Sequence, residues 1–254
     1  MNALTGPRAC LTHLDLFTGI GGFHMAAEWA GFETVGFSEI EPYCCQLLAE
    51  KWPEIKNYGD VRTADFSGLR GRITVLSAGV PCQPASLAGK RRGKDDDRWL
   101  WPATLDVVGA VQPAWTIFEN PDGIASLDEF ADTLSRLGSL GYSFRLFRVS
   151  ANSVGAIHER YRVFVMANSE CHCLQGRPII SQIRFVTSPD KQLAGFLQLG
   201  SRPSISCARA YGDRYGFRGR PYSTKRNICL GNSVVPAQAY PFFEAIAETE
   251  SMFQ

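Results

Sequence analysis

Residues 11–39 read LTHLDLFTGIGGFHMAAEWAGFETVGFSE, and the fold turns on how this stretch is read. The apolar run LTHLDLF has strand character and stops at a cluster of glycines. The next segment carries Phe23, Ala26, Ala27 and Ala30 at helical spacing and meets a stop at Gly31. ETVGFSE then reads as a second strand. A strand, a glycine loop, a helix and another strand form the opening unit of a parallel sheet wound on both faces. Gly19, Gly21 and Gly22 allow a tight turn, and let a ligand approach the first helix amides, which favour negative groups. The loop is not the nicotinamide-dinucleotide fingerprint, because that pattern needs glycine where His24 stands. Glu39 ends the second strand, where it is placed to accept hydrogen bonds from both hydroxyls of a ribose. Asp60, in the Gly59-Asp60 pair, is placed to accept an adenine amino proton. A nucleoside-bearing cofactor is the expectation, against the plainer alternative of a structural turn with solvated acids.

The same alternation extends outward. PYCCQLLAEKW reads as a helix with Pro42 in its first turn. RITVLSAG is a strand, WPATLDVVGAVQ a helix and AWTIFEN a strand. SLDEFADTLSRLGSLGY begins with a Ser126/Glu129 capping pattern and is expected to run as a helix to Gly138 or Gly141. SFRLFRVS and RVFVMANS follow without a helix between them, which predicts an antiparallel hairpin closing a parallel sheet. VPAQAYPFFEAIAETE reads as a final helix. The fold class expected is therefore α/β: a doubly wound, mostly parallel sheet, Rossmann-like, with a small, basic, irregular region inserted late in the chain. The division expected from the patterning is residues 1–168, an irregular 169–226 and a closing 227–254.

The chain has 254 residues, 45% of them hydrophobic and 20% charged, enough for one large domain with a small appendage. No stretch approaches the ~18 apolar residues of a membrane span, and no signal-peptide run precedes the first strand. A cytoplasmic protein with no membrane partner is expected. Eight cysteines in so long a chain read as free thiols rather than a disulfide scaffold. Cys171-His172-Cys173 lacks a second pair at zinc-finger spacing, so no metal site is expected. The net charge of +1 conceals an asymmetry, since residues 171–226 hold 10 Lys and Arg against 2 Asp and Glu. Such a local excess suits a polyanion; a solvated basic face is the alternative.

Residues 76–90, LSAGVPCQPASLAGK, raise the chemical question. They place one thiol, Cys82, where a strand gives way to a loop, with Pro81 fixing the backbone before it. The following strand delivers Glu119 and Asn120 at its own carboxyl end, and in a parallel sheet those ends share one crevice. A thiolate and a carboxylic acid facing one pocket suit attack on an aromatic ring with protonation of a ring nitrogen. Arg160 and Arg162, in HERYRVFVMA, alternate along a strand so that both can turn toward that pocket.

At this point the chain resembles the DNA C5-cytosine methyltransferase family. DLFTGIGG resembles the family's cofactor loop and GVPCQPAS its Pro-Cys-Gln motif. ENPDG resembles its Glu-Asn motif, with Pro121 where valine is more usual. HERYR resembles its Gln-x-Arg-x-Arg motif, with His158 in the glutamine place, and LGNSVVP its closing Gly-Asn-Ser-Val motif. The five motifs run in the family's order through residues 12–167 and 226–248, in a compact form similar to phage and prophage members. The resemblance implies S-adenosylmethionine as cofactor, held by Asp15, Phe17, Gly19, Gly21, Gly22, Glu39, Ile40, Asp60, Val61, Pro81, Asn232, Ser233 and Val234. It implies cofactor binding and catalysis for residues 1–168, target recognition for 169–226, and a return of 227–254 to the first unit. It implies double-stranded DNA as substrate and base flipping to reach the cytosine. Cys82 would add to ring carbon 6, Glu119 would protonate nitrogen 3, Arg162 would hold the carbonyl oxygen, and Arg160 would support the site. Asn120 and Asn232 would be architectural. Gln83 and Ser86 would touch the nucleic-acid backbone, and Lys90, Arg91 and Arg98 would reach phosphates from a loop that closes over the target. A monomer is implied, with a cognate restriction nuclease as partner.

The chain departs from the family in one region. Only 56 residues stand where a longer recognition region is usual, and the Arg-rich supporting motif is not found in its usual form. Arg209, Arg214, Arg218 and Arg220 are the expected base readers, with stacking of bases on Tyr211, Tyr215 and Phe217 as the alternative. Two alternatives stay open: a tRNA-methylating enzyme of the same fold, and a catalytically weak nucleic-acid-binding remnant.

Overall fold

The structure is a computed structural model and describes residues 10–81, 99–155, 160–169, 229 and 232–252. Among these residues a six-stranded sheet runs in the order β2-β1-β3-β4-β6-β5. β1 (Thr12–Leu16), β2 (Glu33–Ser38), β3 (Val75–Gly79) and β4 (Trp115–Pro121) are mutually parallel. β6 (Tyr161–Ser169) runs antiparallel to both β4 and β5 (Tyr142–Ser150). The expected hairpin is present, and its second strand inserts between the first and the rest of the sheet.

Helices cover both faces. On one side α1 (Gly22–Trp29) and α5 (Pro236–Ser251) bury Phe23, Ala26, Phe242, Phe243 and Ile246 against Val75, Ile117 and Phe164. On the other, α3 (Trp101–Val111) and α4 (Asp128–Ser139) bury Trp101, Leu105, Phe130 and Leu137 against Leu14, Leu16, Leu76 and Phe118. β1 shows why the sheet must be covered twice. Leu14 and Leu16 point to the α3/α4 layer, while the alternate residues His13 and Asp15 are also fully buried. α2 (Pro42–Lys51) follows β2 in the chain and has proline in its first turn, as its sequence predicts.

α5 is held to the sheet by more than its apolar face. Phe242 stacks on Phe164 of β6 with ring centroids 4.7 Å apart, and Phe243 meets the His13 ring edge-on at 5.1 Å. Each fully buried phenylalanine contributes about 1.5–3 kcal/mol of transfer free energy. Glu250 accepts a 2.9 Å hydrogen bond from the Trp115 indole at the start of β4. The chain's last described helix is thereby joined to the sheet's centre.

The Ser126 capping box does not form. Residues Asp122–Ser126 make a 3-10 turn in which the Ser126 hydroxyl donates to the Gly123 carbonyl. α4 starts instead after Leu127, whose backbone is extended. The expected helix end is close, with α4 stopping at Ser139 and the chain reversing at Gly141, where φ is +82°.

Candidate active site

The glycine turn after β1 takes the tight form its residues allow. Gly19 and Gly21 have φ of +58° and +87°, in the left-handed region that glycine enters without cost. Phe17 also sits at φ +53°, a strained state for a bulky residue. Gly22 owes its identity to a close approach rather than to its dihedral. A Cβ there would lie 2.4 Å from the Val234 carbonyl oxygen, so the segment before α5 rests directly on the turn. Val234 also reaches the end of β3, its Cγ2 lying 3.2 Å from where a Gly79 Cβ would be. Val234 thus stands between the glycine turn and the end of β3, where Gly79 pairs in register with Glu119. Ser233 is half-buried beside it and Asn232 is exposed.

Glu39 follows β2 and closes over this turn. Its Oε2 accepts the Gly19 amide at 2.6 Å, and its Oε1 accepts the Ile40 and Glu41 amides at 2.8 and 2.7 Å. A carboxylate offers about four acceptor positions, so three are already filled. Accepting both hydroxyls of a ribose therefore requires Glu39 to release one backbone amide. Asn57 braces the same corner: its Oδ1 accepts the Glu39 amide at 3.0 Å and its Nδ2 donates to the Glu39 carbonyl at 3.1 Å. Ile40 beside it is 58% exposed, an apolar side chain open to solvent.

Asp60 lies in the loop between α2 and β3 and is engaged by Arg62, whose Nη2 donates to Oδ2 at 2.6 Å. That guanidinium holds the Asp60 carboxyl below its ordinary range. Val61 is buried in the α3/α4-side core. Asp15 is wholly buried beneath the turn, and its Oδ1 accepts the Ser77 hydroxyl at 2.8 Å. Its side chain reaches no solvent, so it acts on the turn from below.

The chemical end of the crevice is built from β3, β4 and β6. Glu119 is 6% exposed at the carboxyl end of β4. Arg162 of β6 lies opposite Pro121 and brings its Nε to 2.8 Å from Glu119 Oε1, a close ion pair rather than a well-aligned hydrogen bond. Burial raises the Glu119 carboxyl above its ordinary range, while Arg162 and then Arg160 pull it back. Desolvation prevails, so the group favours its protonated form more than a surface glutamate does. Asn120 is architectural, as expected: its Nδ2 donates to the Val80 carbonyl at 2.8 Å. That bond ties the end of β4 to the residue before Pro81. Gln238 of α5 supports the far side by donating to the Val149 and Arg160 carbonyls at 2.9 and 3.1 Å.

The described residues bring together Glu119, Arg160 and Arg162 at one end, with Phe17, Gly19, Gly21, Gly22, Glu39, Ile40 and Val234 around the turn. Pro81 is half-buried at the entrance of its loop. Cys82, Gln83, Ser86, Lys90, Arg91 and Arg98 lie outside the described residues, as do Arg209, Arg214, Arg218 and Arg220. Sequence reasoning missed Asn57 and Gln238, both of which act by bonding backbone. An asparagine two residues before a glycine is an ordinary turn signal, and Gln238 reads as one polar position on an apolar helix.

The sequence profile of the C-5 cytosine-specific DNA methylases matches residues 11–194. Type II methyltransferase M.NgoMIV of Neisseria gonorrhoeae is 35% identical over 163 residues, covering 61% of this chain and 51% of that protein. Type II methyltransferase M.HgiBI of Herpetosiphon aurantiacus is 34% identical over 167 residues, covering 60% of this chain and 36% of that protein. The match thus spans between about a third and a half of these relatives' length. Two solved structures share the fold. One is a protein of an E. coli prophage described as a DNA modification methyltransferase, with TM-score 0.55 and 24% identity over 68% of this chain and 50% of that one. The other is the S. pombe Dnmt2 methyltransferase, with TM-score 0.54 and 21% identity over 63% and 50%. Matched by that profile over residues 11–194, the greater part of its length, the chain belongs to the C-5 cytosine-specific DNA methylases.

Proposed function

We propose that this chain transfers the methyl group of S-adenosylmethionine to carbon 5 of cytosine in double-stranded DNA, at a specific site, through a transient bond to Cys82. The observation that carries the reading is the state of Glu119. It is a buried carboxyl pushed toward its protonated form, held by Arg162, at a strand end bonded to the backbone beside Pro81. A solvated strand-end glutamate would have neither the shift nor the partner.

The cofactor fits the cradle. Left-handed glycines turn the chain tightly from β1 into α1, the Glu39 carboxylate closes over Gly19, and Ile40 offers an apolar surface for a flat base. When bound, S-adenosylmethionine supplies an electrophilic methyl group. Val234 would border that group, since it stands between the glycine turn and the end of β3.

The protein's own groups then divide the work. The target cytosine must leave the duplex stack to reach the crevice. The Cys82 thiolate adds to ring carbon 6 while the Glu119 carboxyl gives its proton to nitrogen 3, so that no full charge builds on the ring. Carbon 5, now enamine-like, accepts the methyl group. Loss of the carbon 5 proton to a base then expels the Cys82 thiolate, nitrogen 3 returns its proton to Glu119, and the aromatic ring is restored. Arg162 keeps Glu119 oriented and would stabilise charge at the ring carbonyl, with Arg160 adding positive potential behind it. Gln83, Ser86, Lys90, Arg91 and Arg98 would hold the DNA backbone, and the four arginines of residues 209–220 would read bases.

Methyl-labelled cofactor incubated in parallel with duplex DNA and with tRNA tests the substrate class. Label in DNA at carbon 5 of cytosine supports the reading. Label confined to tRNA replaces it with the RNA-modifying alternative.

A further inference from the structure

Beneath the glycine turn runs a line of buried polar side chains that the proposed chemistry does not use. His24 Nδ1 lies 2.9 Å from Thr34 Oγ1, and the same hydroxyl lies 2.8 Å from His13 Nδ1. His13 Nε2 lies 2.8 Å from Ser77 Oγ, and Ser77 donates to Asp15 Oδ1 at 2.8 Å. The five residues come from α1, β2, β1 and β3, and each is at most 8% exposed. We propose that His24, Thr34, His13, Ser77 and Asp15 form one directional hydrogen-bond chain that positions the glycine turn for S-adenosylmethionine; the cofactor part rests on the function proposed above.

The direction follows from counting protons. Ser77 has one hydroxyl proton and gives it to Asp15, so it must accept from His13 Nε2. His13 then carries its proton on Nε2, and its Nδ1 can only accept. Thr34 therefore gives its single proton to His13 and accepts from His24 Nδ1. The two imidazoles are forced into opposite tautomers, His13 with Nε2–H and His24 with Nδ1–H. If Asp15 instead donated, every bond would reverse and the tautomers would still be opposite. Burial keeps both rings neutral at neutral pH, since it lowers His24 to about 4 and His13 well below its ordinary value.

Both ends of the chain bear on the cofactor turn. The Asp15 carbonyl accepts the Thr18 hydroxyl at 2.9 Å, and its carboxyl sits two residues before the strained Phe17. At the other end the His24 ring meets the Trp52 ring edge-on, with centroids 4.4 Å apart. Trp52 in turn lies over Gly21, its Cη2 2.8 Å from where a Cβ would be. The middle of the chain is Thr34, which touches neither end of the turn. These residues reach no substrate; they are positioning residues.

Two readouts test this on the full-length protein. Long-range 15N–1H correlation of the histidine rings, assigned with His13→Gln and His24→Asn, is expected to show one Nε2–H and one Nδ1–H tautomer at pH 7. Two rings of the same tautomer overturn the chain. Calorimetric titration with S-adenosylmethionine is the second readout. Thr34→Val is expected to weaken cofactor binding about tenfold while turnover at saturating cofactor is kept, and Thr34→Ser is expected to restore affinity. Wild-type affinity in Thr34→Val, or an equal loss in Thr34→Ser, overturns the positioning role. Opposite tautomers in a wild-type chain that binds no S-adenosylmethionine would support the chain and sink the cofactor reading instead. Should Thr34→Val fail to fold, the wild-type tautomers still decide the chain, and His24→Asn against His24→Leu decides positioning. The asparagine amide keeps a donor for Thr34, so it is expected to bind cofactor about tenfold more tightly than the leucine variant; equal affinities overturn it.

Discussion

Gly22→Ala isolates the contact between the cofactor turn and the segment before α5. The added Cβ would meet the Val234 carbonyl oxygen at 2.4 Å and the Val234 carbonyl carbon at 3.1 Å. The obstacle is backbone, so no side-chain rotation relieves it, and the segment must retreat by roughly an ångström. Overpacking of this kind costs about 1–3 kcal/mol. For a chain of this size each kcal/mol moves the thermal midpoint by about 2–4 °C, which sets the expected drop at about 2–12 °C. Gly138→Ala is the matched control. Gly138 lies within α4, no atom falls within 4 Å of its would-be Cβ, and its φ is not positive. Helix propensity then favours alanine by roughly 0.5–1 kcal/mol, so that variant is expected to melt slightly above wild type. Thermal unfolding followed by circular dichroism reads both. A Gly22→Ala protein that melts with or above wild type would refute the view that Val234 is seated on the turn.

Three other outcomes are expected. Burial raises the Asp15 carboxyl from 3.8 to about 8, so the folded state favours its proton. Stability from that group is full below the unfolded value and is lost as pH rises from about 4 through 8. At about 1.4 kcal/mol per unit this is on the order of 5 kcal/mol, so denaturant titrations should show Asp15→Asn gaining on wild type across that window, and parallel curves would contradict it. Glu250→Ala removes the acceptor of the Trp115 indole, a hydrogen bond to a charged group worth about 1.5–3 kcal/mol; the thermal midpoint should fall by about 3–12 °C, and an unchanged midpoint would show that α5 docks by its apolar face alone. Arg148→Ala breaks an exposed pair with Asp122, 2.6 Å long, and a stack on Tyr161, and should leave the thermal midpoint close to wild type in the same assay; a drop as large as that of Glu250→Ala would contradict it.

The architecture was legible because strands and helices in a doubly wound sheet carry different apolar periods. LDLF and VLSAG read as buried strands, and the Phe23/Ala26/Ala27 face read as a helix packed on them. Contacts between distant segments were not legible. Gly22 looks like any ligand-facing glycine until Val234 is seen resting on it. Ser126 and Glu129 have the spacing of a capping box, but Asp122–Ser126 spends the serine on a 3-10 turn. Thr34 and Ser77 look like the polar face of half-exposed strands. Helices on both sides bury that face, and the polar groups satisfy one another instead. At the site, Glu119 and the two arginines could be placed together from strand ends alone. That Glu39 is already bonded to three backbone amides could not, because those partners are set by the turn's conformation and not by residue type.

The most direct test of the account uses duplex DNA carrying 5-fluorocytosine, incubated with the protein and S-adenosylmethionine and resolved on a denaturing gel. Fluorine at carbon 5 cannot leave as a proton does, so the bond from Cys82 to the ring persists. The account predicts a protein–DNA band that survives denaturation in wild type, falls sharply in Glu119→Gln and is absent in Cys82→Ser. A band of equal strength in Cys82→Ser, or none in wild type, would contradict it.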